Sequence, residues 1–373
     1  MVIPSLGRIG GAERQMILLA KGMHWRGWRV TVVELSGPGN QLAADLAAQG
    51  IGLLSLEMRK GLADPRGWLR FHRWLGRERP DVVHAHLHHP ALLARWSRLA
   101  APIRALVDTL HSTSTGTLSR RVGYRVSNWL PDKVTAVSHA VAEAHLLAGM
   151  VTAPKVVELP NGIDTEEWKP DGLNRARVRC ELGLESEFLW FAAGRMDPVK
   201  DYPTLLQAMV GLPRGARLAI AGSGPMEGEL RRLRTELGLE NRVRFLGFQP
   251  NVRPWMQAAD GFVLSSRLEG LPMVLLEAAA CELPAVATCV PGTREVIVDG
   301  QTGFFAPAAS AQSLREAMIR MLNMPVDKRR DLGLRARQLV VERFSLGAAL
   351  DQWERLYAEL LRQNQCPVRW GKM

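Results

Sequence analysis

The sequence predicts an α/β protein built from two doubly wound parallel sheets, each in its own domain. Three observations lead there. The chain has 373 residues, 47% of them hydrophobic, which is more than one core usually fills. Short apolar runs alternate with helical patterns of about 10–15 residues, as in strands joined by helical crossovers. The alternation stops once, at Leu159-Pro160-Asn161-Gly162-Ile163-Asp164 and Lys169-Pro170-Asp171-Gly172, where turn formers cluster, and then resumes. The break implies an N-terminal domain of residues 1–165, a second domain of 170–345 and a terminal helical segment of 346–373.

In the first half, Val2-Ile3 opens the sheet. It is short for an opening strand, and the chain reads as starting late. A glycine-bearing loop and a helix at 12–26 follow. Strands are expected at 30–35, 52–56, 81–85, 105–110 and 133–137, and helices at 41–49, 65–77 and 91–99. In the second half, strands are expected at 189–193, 218–221, 243–246, 259–264 and 284–288. One helix begins near 203 and another covers 271–281, where Pro272 suits a first turn because it lacks an N–H and has a preset φ. The tail helices, 313–322 and 346–363, are amphipathic, and Trp353, Leu356, Tyr357 and Leu360 share a face of the last.

The net charge is +11, with 21 lysines and arginines against 14 acidic residues in 1–170 and 27 against 23 afterwards. The basic first half also carries Trp25, Trp28, Trp68, Trp74, Trp96 and Trp129, and Arg120, Arg121 and Arg125 lie near Tyr124. Basic residues mixed with tryptophan suit an anionic membrane surface better than nucleic acid, for which no motif is present. No window is apolar enough to span a bilayer, and Arg8 and Glu13 interrupt any leader-like stretch. Four cysteines without CxxC spacing suit a reducing, cytoplasmic setting.

The chemistry concentrates in residues 265–288, SSRLEGLPMVLLEAAACELPAVAT. Glu269 lies on the loop feeding a helix and Glu277 one to two turns inside it. Carboxylates accept hydrogen bonds from hydroxyls, and the amides at the helix start, near Gly270, Leu271 and Pro272, attract anions. A polyol carrying a phosphate matches both. Gly194-Arg195 and Lys200 form a second cationic loop ahead of a helix, suited to a diphosphate. Gly10 and Gly11 let a phosphate approach the backbone at the first helix. Gly222-Ser223-Gly224 does not complete a dinucleotide fingerprint, since Glu227 occupies its last glycine position, which argues against NAD. His84, His86, His88 and His89 cluster after a strand, where His84 and His86 point the same way as metal ligands could, but no acidic or cysteine partner is near in sequence and no metal is expected.

These residues resemble the retaining GT-B glycosyltransferases of family 4 (glycosyl transferases group 1) over nearly the whole chain. The similarity rests on the embedded Glu-x7-Glu stretch, Gly-Gly-Ala-Glu at 10–13, Asp108-Thr109-Leu110-His111, Pro-Asn-Gly-Ile-Asp at 160–164, and Gly-Arg-x4-Lys at 194–200, where Asp201 replaces a more frequent glycine. The resemblance implies two Rossmann-like domains facing a central cleft, with the C-terminal helix crossing back to the first. It implies metal-independent sugar transfer from a UDP- or GDP-linked nucleotide sugar, with no cofactor, to a glycan or lipid-linked acceptor. His111, Arg195, Lys200 and Glu269 would be catalytic. Arg195 and Lys200, after Gly194, would hold the diphosphate, the Gly10-Gly11 loop would touch the diphosphate or the acceptor, and Gly222 would let the donor approach the backbone. The helix-start amides near Gly270 and Leu271, beside Pro272, would stabilise the leaving diphosphate too, while Glu269 would hold the sugar hydroxyls and Glu277 the ribose. Gly247 and Phe248 would hold the base. The rival expectations are a non-catalytic nucleotide-sugar-binding scaffold and another GT-B enzyme such as an epimerase.

Overall fold

The computed structural model describes residues 1–6, 10–37, 41–59 and 64–364. Gly7, Arg8 and Ile9 of the first loop, and Cys366, lie outside the described residues. The chain divides into two compact units: Met1–Gly162 together with the segment from Leu346 onward, and Ile163–Ser345.

The first unit runs β1 (Val2–Ile3), α1 (Gly11–Trp25), β2 (Thr31–Glu34), α2 (Gln41–Ala48), β3 (Gly52–Ser55), α3 (Pro65–Glu78), β4 (Val82–His86), α4 (His88–Ser97), β5 (Ala105–Leu110), α5 (Leu118–Ser127), β6 (Lys133–Ala136), α6 (His139–Leu147) and β7 (Val156–Glu158). Its strands form one parallel sheet in the order β3-β2-β1-β4-β5-β6-β7. The two-residue β1 sits inside it, Val2 pairing with Val33 on one side and Ala85 on the other.

The second unit runs α7 (Gly172–Leu182), β8 (Phe188–Ala193), α8 (Tyr202–Val210), β9 (Ala216–Ala221), α9 (Glu227–Glu236), β10 (Val243–Gly247), α10 (Arg253–Ala258), β11 (Gly261–Leu264), α11 (Met273–Ala280), β12 (Ala285–Thr288), β13 (Gly303–Ala306), α12 (Ala311–Leu322) and α13 (Val326–Phe344). Its parallel sheet has the order β10-β9-β8-β11-β12-β13. Parallel strands are covered on both faces and read as continuous apolar runs, and every residue of β5, β11 and β12 is buried.

Strand order reverses between β1 and β4 in the first sheet and between β8 and β11 in the second. At such a point the two chain segments diverge and leave a crevice at the carboxyl ends of the strands, where ligands bind in doubly wound folds.

The last helix, α14 (Leu346–Gln363), belongs to the first unit. Leu350, Trp353, Leu356, Tyr357 and Leu360 share a buried core with Ile3, Met16, Val32 and Val107. Gly22 on α1 makes room for it, since a Cβ there would lie 2.6 Å from Leu350. Each such side chain contributes about 1.5–3 kcal/mol by leaving water.

The sequence reading gave no element at α5, α6, β7, α7, α9, α10 or β13, and it differs most at α11 and α13. The helix expected over 271–281 is α11, with Pro272 outside it as the N-cap residue at ψ 101°, its carbonyl accepting from Leu275 and Leu276. The nineteen-residue α13 has no counterpart in the sequence reading. Its buried face includes Gly333 and Ala336, too small to mark an apolar stripe; a Cβ on Gly333 would lie 2.0 Å from the Glu282 carbonyl oxygen.

Candidate active site

In the second unit the loops after β8 and β11 rise from the two strands flanking the reversal. After β8, Gly194 turns at φ 156° and Arg195 is exposed. Asp197 then caps the 3-10 turn Pro198–Lys200 by accepting from the amides of Val199 and Lys200. The turn delivers Lys200 to the loop after β11, where its Nζ lies 2.5 Å from Glu269 Oε1. Both side chains are mostly shielded from solvent.

The two loops are tied at three further points. Ser265 Oγ donates to the Lys200 carbonyl at 2.8 Å, the Arg267 amide donates to the Val199 carbonyl at 2.8 Å, and the Arg267 guanidinium donates twice to the Asp201 carboxylate. Asp201 has φ 48°, the left-handed region that favours glycine. That explains the frequency of glycine there in the resembled motif. Here the aspartate carboxylate, also accepting from Thr204 Oγ1 at 2.9 Å, offsets the backbone cost.

Adjacent loops are stitched sideways. The Gly194 amide donates to the Ala221 carbonyl, the Met196 amide to Ser223 and the Gly222 amide to Gly247. Gly222 has φ 142°, and a Cβ there would lie 2.0 Å from the Gly194 carbonyl oxygen. Gly247 turns at φ 70°, followed by the exposed Phe248. From the loop after β12, Gly292 packs under the Glu269 loop; a Cβ on it would lie 2.5 Å from the carbonyl oxygens of Glu269 and Gly270. Leu271 and Pro272 are buried, and no side chain caps the first turn of α11. Glu277 is buried within α11. Burial, with the Glu277 charge adding to it, pushes the Cys281 thiol up to about 12.

In the first unit, Gly10 is the N-cap of α1 and Gly11 its first residue. Glu13 Oε2 accepts from the Gly10 amide at 3.0 Å, closing a capping box. On the neighbouring strands, His84 uses both ring nitrogens, each 2.6 Å from a hydroxyl: Tyr357 of α14 and Thr109 of β5. His86 packs against His84 with ring centres 4.0 Å apart and the rings tilted by 36°, and its Nδ1 lies 3.1 Å from His111 Nε2. Burial holds all three imidazoles below their usual range, His111 at about 4. His88 stacks on Tyr124 instead. The four-histidine cluster is thus split between two sets of partners, and among the described residues no three His, Cys, Asp or Glu come together as a metal site would need.

The expected residues therefore gather by unit: Gly194, Lys200, Gly222, Gly247, Glu269 and Gly270 on stitched loops in the second, and His111 beside His86 in the first. Sequence reasoning missed the partners Arg267 and Tyr357 and the His86–His111 contact, all made across long chain separations with no local signal.

Two family models match the chain: Glycosyltransferase Family 4 over residues 9–167 and Glycosyl transferases group 1 over residues 175–339. The N-acetyl-alpha-D-glucosaminyl L-malate synthase of Bacillus anthracis is 30% identical over 302 residues, covering 78% of this chain and 77% of that protein. The GDP-mannose-dependent alpha-(1-6)-phosphatidylinositol monomannoside mannosyltransferase of Mycobacterium tuberculosis is 29% identical over 286 residues, 72% of this chain and 71% of its own. The crystal structure of Anabaena HepE with UDP-glucose shares the fold, with a TM-score of 0.84 at 24% identity over 96% of this chain and 98% of that one. With the two sheets, the stitched loops and these matches together, the chain belongs to glycosyltransferase family 4 and is a glycosyltransferase of the GT-B fold.

Proposed function

We propose that the protein is a retaining, metal-independent transferase that moves a hexose-type sugar from a UDP- or GDP-linked donor to a lipid-linked or surface-polysaccharide acceptor. The observation that carries this reading is the Lys200–Glu269 pair at the strand reversal of the second unit. A cation and a carboxylate held side by side match a donor whose diphosphate needs positive charge and whose sugar offers hydroxyls. As the glycosyl–phosphate bond breaks, negative charge builds on the leaving diphosphate, and Arg195 and Lys200 stabilise it. Glu269 holds the sugar hydroxyls, Glu277 the ribose, and the Gly247-Phe248 loop the base. His111 lies beside the sugar. The first unit serves the acceptor and the second the donor. The leaving phosphate helps deprotonate the acceptor on the same face, which retains the anomeric configuration.

The exposed face of α5 supports an anionic membrane as the acceptor's setting. Leu118, Val122, Val126 and Trp129 are exposed at helical spacing beside Arg120, Arg121 and Arg125, and we read this as peripheral docking at the cytoplasmic face. Among the described residues no helix is long and apolar enough to cross a membrane.

The deciding experiment is a thermal-shift screen with UDP, GDP, ADP and NAD on the native protein and on Arg195→Ala and Glu277→Ala. A nucleoside diphosphate at 100 times its Kd adds about 2.7 kcal/mol. Stabilisation by UDP or GDP, lost in both variants, supports the reading; stabilisation by NAD alone, or by none, sinks it. Transfer that persists in EDTA supports metal independence. Sedimentation with phosphatidylglycerol vesicles, lost when Arg120, Arg121 and Arg125 become Ser, supports membrane docking.

A further inference from the structure

From Val32 to Leu35 the chain is apolar except for Glu34, the last residue of β2. Glu34 is nonetheless only 5% exposed. A carboxylate taken out of water is costly unless hydrogen bonds meet it, so its burial needs a compensating partner.

In doubly wound folds that bind dinucleotides, a carboxylate about 20 residues beyond the glycine loop of the first strand takes the ribose hydroxyls. The first unit has both parts: Gly10-Gly11 after β1, and Glu34 at the end of the neighbouring β2, in register with Ile3. Here the carboxylate is turned to the loop instead of a ligand. Its Oε2 accepts from the buried Leu6 amide at 3.1 Å, across 28 residues of sequence. The chain after β2 then closes over it: a Cβ on Gly37 would lie 3.2 Å from both Glu34 Oε2 and Ser5 Oγ.

The exit of β1 is thereby fastened in steps. Up to Pro4 it follows β2 by backbone bonds, the Leu35 amide donating to the Ile3 carbonyl and the Ser36 amide to the Pro4 carbonyl, both at 3.0 Å. Glu34 carries the tie on to Leu6. Glu13 holds the far end from α1, accepting from the Gly10 amide. The loop so held opens at the strand reversal between β1 and β4, where the crevice of this sheet lies.

We infer that Glu34 is a positioning residue for the Gly10-Gly11 loop: its carboxylate oxygen fixes the exit of β1 through the Leu6 amide, by its reach and not by its charge. The inference rests on the transferase reading, in which that loop meets the donor diphosphate or the acceptor.

Three variants separate reach from charge. Glu34→Gln keeps an acceptor oxygen at the same length without the charge. Glu34→Asp keeps the charge but is one carbon shorter, and Glu34→Leu removes both. Hydrogen exchange of the full chain without ligand reads the loop directly, in the peptides covering residues 1–13. Exchange there should rise about tenfold in Glu34→Asp and Glu34→Leu and stay native in Glu34→Gln, with the peptides of α14 and of the second unit unchanged. Turnover of UDP-glucose or GDP-mannose, whichever the native protein uses, should fall about tenfold in the same two variants and hold in Glu34→Gln. UDP or GDP affinity should stay within about twofold throughout, because the residues assigned to the nucleotide stand in the second unit. If Glu34→Leu does not fold, Glu34→Asp, which keeps the polar group, decides alone. Native exchange in Glu34→Asp overturns the tie. Faster exchange with native turnover overturns the positioning role, as does faster exchange spread through α14 as well. Losses in Glu34→Gln equal to those in Glu34→Asp overturn reach as the cause. Failure of the native protein to bind either nucleotide counts against the transferase reading instead, and the exchange comparison still decides whether Glu34 holds the loop.

Discussion

Asp201 and Arg267 are joined by two hydrogen bonds, 2.9 Å from Nε and 3.3 Å from a terminal nitrogen, across 66 residues of sequence. The carboxylate is buried and the guanidinium mostly exposed. The pair fastens the loop that carries Lys200 to the loop that carries Glu269. Removing the arginine leaves a buried carboxylate with less compensation, so Arg267→Gln should lower the urea midpoint, with solvent screening of the exposed guanidinium limiting the loss. Asp201→Gly also loses the pair but relieves the left-handed backbone, so its cost should be smaller. The double variant should be less than additive in urea denaturation. Full additivity would mean that the pair is not coupled in solution.

Glu269 and Lys200 should separate kinetically. Glu269→Gln removes the negative charge but keeps the shape, so UDP or GDP affinity should hold while kcat falls on the order of 100-fold. Lys200→Met should weaken diphosphate binding and turnover together. Calorimetric titration with the nucleotide, run beside a donor-turnover assay, checks both.

Acid should destabilise the first unit. His84, His86 and His111 are held neutral by burial, His111 at about 4 against 6.5 in an open chain. Between those values the unfolded chain binds more protons than the folded one, so stability is full above about 6.5 and is lost as pH falls toward 4. His111 alone accounts for on the order of 3 kcal/mol of that loss. Asp108, pushed up by burial, works in the opposite direction against the three rings. Melting curves from pH 7 to 4 should show the decline, and His111→Asn should flatten it.

Gly292 tests the support beneath Glu269. Its φ of −68° is open to any residue, so Gly292→Ala acts through its methyl group alone, which meets two carbonyl oxygens. A stability loss of about 1–3 kcal/mol is expected, with turnover lost beyond what the melting temperature explains. Normal turnover in the alanine variant would show that the Glu269 loop tolerates displacement.

Much of this architecture was legible because parallel strands buried on both faces leave unbroken apolar runs, as at 105–110, 189–193 and 284–288. Glycines and cations at strand ends marked the loops of the second unit. The α13 helix was hidden because Gly333 and Ala336 pack by being small. Asp201 was read only as a departure from a motif, since its partner lies in another loop. The histidine cluster looked like one group, and only the fold separates His84, His86 and His88 by what covers each ring.

The α14 helix has a consequence for how the protein is made. It supplies Leu350, Trp353 and Tyr357 to a core begun by Ile3, Met16 and Val32, although it leaves the ribosome only after the whole of the second unit. The second unit is continuous in sequence and is synthesised whole before that helix appears. The first unit must therefore wait, its apolar face open, through the synthesis of its neighbour. During that interval the nascent chain is at its stickiest, and it is then that a chaperone has most to hold.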